Sequence, residues 1–184
     1  IQSNLGCFYF FLFVTFVLTV VNYAYIKFSF HRIELSSQLV NTGSERLVAL
    51  VHLWTSCTIM YGGATVNKNF AMWSSVVNTR SNELYGLNLD LMNLLRDLDS
   101  REITEAFFQN DVTLWEPFDP TDKISTVSID EFTGLNVVLQ KLGIFKNFTY
   151  MKSQLGSNTV LFALNNTIND VLLSLERDLT TTQE

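Results

Sequence analysis

LGCFYFFLFVTFVLTVVNYAYI, residues 5–26, contains no Lys, Arg, Asp, Glu, Pro or Gln, and the first charge in the chain is Lys27. Wound as a helix at about 1.5 Å per residue it extends about 33 Å, enough to cross a hydrocarbon core of about 30 Å. Its crowding of Phe and Val is poor helix chemistry in water. In lipid, however, a lone segment must satisfy its own backbone, and a helix is the only way to do so. Residues 1–27 are therefore expected to form a transmembrane helix. Tyr23, Tyr25, Lys27, Phe28, Phe30, His31 and Arg32 supply the aromatic and cationic belt expected where it leaves the bilayer. A signal peptide has a shorter apolar core and a small-residue cleavage site, and this stretch matches neither.

Outward from that segment, residues 28–184 are enough for one globular domain with its own core. The net charge of −6 falls wholly on this part. An acidic surface without a basic cluster excludes nucleic acid as a partner. The two cysteines are Cys7, inside the apolar run, and Cys57, in the apolar stretch from Leu47 to Met60. With one at membrane depth they form no disulfide framework, and Cys57 is expected to be buried and inert. Two sequons, at Asn147 and Asn165, mark expected glycosylation sites and favour an extracytoplasmic domain. Lys27, Arg32 and Arg46 pull the other way, since cationic flanks prefer the cytoplasm. The chain starts at Ile1 rather than Met, so it is expected to be a piece of a longer polypeptide that re-enters the bilayer soon after Glu184.

The remaining periodicity predicts helices over roughly 28–61, 68–98, 129–155 and 158–179. In the first, Leu47, Leu50, Val51 and Trp54 share a face, and Gly62-Gly63 is expected to end it. The same apolar run, 47–66, carries no formal charge and is the place for a second span if one exists. In the second helix, Phe70, Trp73, Val77, Arg80, Leu84, Leu87, Leu91, Leu94 and Leu98 give a heptad seam, leaving Ser81, Asn88 and their neighbours on a solvated face. Asp99-Ser100 closes that helix, and 102–109 predicts a short further one. Pro117 and Pro120 then mark a turn-rich connection. Its Glu116, Asp119 and Asp122 match no EF-hand spacing and read as a solvated acidic loop. Ser128-Ile-Asp-Glu131 predicts a capping box that starts the third helix, with Phe132, Leu135, Leu139 and Leu142 on its seam and an interruption at Gly143. Leu161, Leu164, Ile168, Val171 and Leu175 form the seam of the fourth.

Helices with apolar seams bury them by packing together. The expected fold is therefore all-α: an N-terminal transmembrane helix followed by an antiparallel four-helix-bundle-like domain. The run Asn41-Thr-Gly-Ser-Glu-Arg46 stands ahead of an apolar helix, Glu83-Leu-Tyr-Gly-Leu-Asn-Leu89 follows, and Asn165-Asn-Thr-Ile-Asn-Asp-Val171 lies at a returning helix. With this layout, the chain resembles the tiny-macrocysts-like multi-pass membrane proteins of unicellular eukaryotes, which often carry PAS domains. Its layout is also similar to that of chemoreceptors with helical-bundle sensor domains. These resemblances imply a sensory role, although no PAS domain lies within these residues.

No catalytic constellation is visible. His31 and His52 have no Cys or carboxylate at metal-ligand spacing, Gly62-Gly63 lacks a phosphate-loop lysine, and no base is organised around a Ser or Thr. No catalytic residue, metal or cofactor is therefore expected. Arg80 stands out, because it occupies a seam position that calls for an apolar side chain. A guanidinium there would grip an anionic ligand or fix register, unless its stem packs on the seam and its head pairs with Glu83. The expected function is that of an extracytoplasmic helical domain of a signalling or sensor protein. An assembly or adhesion subunit and a transporter or channel segment are the rivals. The expected partners are the lipid bilayer, a small ligand or protein on the bundle surface, and a second copy of the chain in a homodimer.

Overall fold

A computed structural model describes residues 2–98, 100–109, 112–116, 125–157, 160, 163–165 and 171–177. Helices dominate it: α1 (Gln2–Thr65), α2 (Trp73–Leu98), α3 (Arg101–Phe107), α4 (Glu131–Leu142) and α5 (Phe148–Ser153). A 3-10 turn (Gly143–Lys146) joins α4 to α5, and strands β1 (Val112–Glu116) and β2 (Ser125–Ile129) form one antiparallel hairpin. Residues 160, 163–165 and 171–177 are also helical, with a π turn at 171–172. By its contacts the chain divides into two units, Ile1–Gln38 and Leu39–Glu184.

The first unit consists of α1 alone. From Phe8 to Glu34 every side chain except Ser29 is exposed, including Phe10 at 70% and Phe11 at 74%. This part of α1 is long and apolar enough to cross a membrane, and no part of its most apolar window is buried in protein. The hydroxyls of Thr15 and Thr19 donate to the carbonyls of Phe11 and Thr15 at 2.9 and 2.8 Å. Those bonds satisfy them within the helix, as a lipid environment requires.

In the second unit, α1 buries Leu39, Gly43, Arg46, Leu50, Leu53, Cys57, Met60 and Ala64. These positions alternate four- and three-residue steps, which is the spacing that holds one narrow stripe against neighbouring helices. The helix runs through Gly62-Gly63 to Thr65 rather than ending there. Gly63 serves a different purpose: a Cβ on it would run into the Phe70 ring, which lies against the backbone there. The connection that follows needs a left-handed residue, Asn67 at φ 57°, a residue type that tolerates that conformation. α2 begins at Trp73, five residues later than the spacing predicts, and returns along α1: Phe70 meets Gly63 at the turn, and Asn88 meets Arg46 farther on.

The α2 seam corrects the expected one. Its buried residues are Val77, Ser81, Leu84, Asn88, Leu91, Leu95 and Leu98. Every seventh position agrees, but the alternate positions sit one residue later, at Ser81, Asn88 and Leu95 in place of Arg80, Leu87 and Leu94. Counting apolar residues favours the leucines. The packed helix turns instead to bring an amide inward, for a reason found in the site below.

The expected third helix, 129–155, is three shorter pieces. Glu131 is its first residue, and Asp130 rather than Ser128 is the N-cap, accepting from the Thr133 amide at 2.9 Å and the Thr133 hydroxyl at 2.6 Å. There is no capping box, because Ser128 lies in β2 opposite Thr113. The interruption at Gly143 is borne out, since α4 ends there and the 3-10 turn begins. α3 matches the short helix expected over 102–109. Ser100 takes its N-cap position without a side-chain bond, and Asp99 lies outside the described residues.

The β-hairpin departs from an all-helical expectation. Val112 and Leu114 alternate with Thr113, a period of two that suits a half-buried strand, and both are buried in the core. The hairpin seats on α4 at Gly134, where a Cβ would stand 3.0 Å from Val112. One main core gathers Leu50, Leu53, Met60, Leu84, Leu135, Phe145 and Met151 with Val160, Ala163 and Leu175. Trp54 ties α1 to the helical residues 163–165 by donating to the Leu164 carbonyl at 3.1 Å.

Candidate functional site

Two polar features interrupt the apolar packing, and α1 and α2 supply residues to both. The first is buried. Arg46 occupies an α1 seam position and is 1% exposed, a burial that charged residues tolerate only with partners. Its Nη1 donates to Asn88 Oδ1 at 2.9 Å, and its Nη2 pairs with Glu131 Oε1. The guanidinium also lies over the rings of Phe132 and Phe107, 5.4 and 6.0 Å from their centroids, and Phe108 stacks on Phe132. Aromatic faces of this kind add cation–π attraction where water is excluded.

This layer explains two local departures from the sequence pattern. Asn88 turns inward because its carbonyl oxygen accepts from Arg46. Glu131 is fully buried instead of reaching back to cap its own helix, because its charge balances Arg46. As the first residue of α4 it also sits at the positive end of the helix dipole, which favours a carboxylate there. Its other oxygen, Oε2, has no hydrogen-bond partner among the described residues. Sequence reasoning missed the whole layer. The available signal was Arg46 itself, which falls on the 39, 43, 46, 50, 53 spacing where an apolar residue belongs.

The second feature is a surface groove of about 340 Å³ between α1 and α2, lined by Ser44, Glu45, Val48, Ala49, His52, Arg80, Glu83 and Leu87. Arg80, singled out by the sequence, is here. Its Nη1 pairs with Glu83 Oε2 at 2.6 Å, three residues along the same helix, and both side chains are more than a third exposed. This is the pairing weighed for it above, and Arg80 does not enter the seam. Glu45 accepts from Asn41 at 2.9 Å. The groove thus presents a largely apolar surface to solvent, with one imidazole and the Arg80–Glu83 pair among its polar groups.

The other expected sites are dispersed. Asn147 is exposed and caps α5 through Oδ1, which accepts from the Tyr150 amide at 3.0 Å. Asn165 is exposed on a helical segment, while its sequon partner Thr167 lies outside the described residues. So do Asp119 and Asp122. Cys57 is buried, as expected, and desolvation holds its thiol far above the ordinary value, which keeps it protonated and unreactive. No group of His, Cys, Asp and Glu among the described residues is arranged to hold a metal ion. Comparison with protein families, with curated proteins and with solved structures found no match to this chain.

Proposed function

We propose that the chain is the membrane-anchored helical domain of a signalling or sensor protein, with residues 1–27 spanning the bilayer and the rest extracytoplasmic. The observation that carries this reading is that one unbroken helix, α1, supplies both a bilayer-length apolar segment and one wall of the groove. A ligand lodged between α1 and α2 would act directly on a helix that continues toward the membrane, and such interhelical shifts of 1–2 Å are a known form of switching. On this reading α1, α2, α4 with α5, and the last helical segment are the members of a four-helix, antiparallel arrangement. Asn147 and Asn165 would be its glycosylation sites.

Two rival functions are less well supported. A transporter or channel needs 47–66 in lipid, yet Leu50, Leu53, Cys57 and Met60 from that run are core residues. An assembly subunit is favoured by a broad apolar face, whereas the groove is rimmed by charges. The reading is tested in nanodiscs by thermal-shift screening of small carboxylates and amino acids, such as succinate, citrate and glutamate. A compound that raises the melting temperature of the wild-type protein and not of Arg80→Gln supports sensing. A flat response from correctly inserted protein favours assembly.

A further inference from the structure

Within the apolar run, the only Ser, Thr or Asn residues are Thr15, Thr19 and Asn22. They follow one another by four and three residues, so on an α-helix they share one face. Extended in both directions at the same spacing, the stripe takes in Phe8, Leu12, Ile26 and Ser29. That is a seam pattern inside a segment whose side chains are exposed, Ser29 alone being partly covered. The two threonines are already satisfied by carbonyls of their own helix. The Asn22 carboxamide makes no such bond among the described residues.

In water this would mean nothing. Resting on the reading of 1–27 as a span, however, Asn22 lies four residues inside the end of the apolar run, about 6 Å at 1.5 Å per residue. That places it on the lipid side of the Tyr23–Tyr25 belt. An amide there is poorly hydrated and gains from a partner, and the small threonines on the same stripe allow a second helix to approach closely.

We infer that this stripe is a homotypic interface, on which the span of a second copy of the chain packs in parallel with Asn22 facing Asn22. A carboxamide both donates and accepts, so two identical copies related by a twofold axis satisfy each other without any further polar group. A different span would have to bring a polar group of its own to the same depth.

The test uses the full 184-residue chain. Alkaline-carbonate extraction of membranes first establishes insertion; release of the wild-type protein would remove the span reading itself. For inserted protein, sedimentation equilibrium in detergent micelles is expected to show a dimer. Asn22→Val should weaken it about tenfold, Asn22→Gln should retain it, and Val20→Leu on the opposite face should leave it unchanged. Unaltered thermal melting of the 39–184 unit in each variant confirms that folding is intact. A wild-type protein that is inserted yet monomeric at all concentrations overturns the proposal and assigns the stripe to another span. A dimer unaffected by Asn22→Val overturns it as well.

Discussion

The two halves of α1 have the same backbone conformation and opposite surroundings. Residues 8–34 are apolar nearly all round and almost wholly exposed, while 39–64 are more polar and yet carry the buried seam of the second unit. Burial in this chain therefore follows spacing more than hydrophobicity. A helix that is greasy on every side has no preferred face to turn toward a protein core and is suited to lipid. A helix with one apolar stripe has a single way to pack, so strictly that an arginine on the stripe is carried inside and must be given partners there.

The contrast is broken most forcefully by charging the first half. Phe13→Arg with Val17→Arg places two guanidiniums near mid-span, each costing about 3 kcal/mol of insertion. The protein should shift from the membrane pellet to the supernatant on alkaline extraction, while the melting temperature of the 39–184 unit stays unchanged. A parallel loss of that melting transition would mean that the halves are not distinct in kind.

The next largest effect lies in the seam. Arg46→Ala strands the Glu131 carboxylate in the core and should cost about 3–5 kcal/mol, read as a lowered denaturant midpoint. The double variant Arg46→Met with Glu131→Leu should recover most of that loss, since an apolar replacement leaves no charge without a counterion. If the double variant is no more stable than the single one, the layer does something beyond charge balance. The smallest effect belongs to the groove: Arg80→Leu should change stability by no more than about 0.5 kcal/mol, because its exposed pair with Glu83 is worth little. A large change would place Arg80 in the packing after all.

What the sequence made legible follows from the same contrast. The apolar segment, the helical class, the break at Gly143 and the burial of Cys57 rest on local composition and period, and they stand. Arg46, Asn88 and Glu131 were misread, because each has a sound local interpretation: a flanking cation, a solvated amide, a capping carboxylate. Their true role depends on contacts 42 and 85 residues apart in the chain, which no local pattern carries. The hairpin was obscured by two prolines in the connection between its strands, although Val112 and Leu114 already alternate with polar neighbours. Arg80 lies on an apolar count that the helix, which buries Ser81, Asn88 and Leu95 one residue later, does not obey.

The charged rung also limits how the second unit can move. Heptad seams are nearly periodic, so greasy helices are able to slip along each other by seven residues and find much the same fit. Here such a slip would set Leu39 or Leu53 opposite Asn88 and leave Glu131 without its cation, a penalty of several kcal/mol. α1 therefore cannot move along α2 by a whole heptad. The displacements left open to it are those of an ångström or two, a twist or a tilt, that keep Arg46 within reach of Asn88 and Glu131.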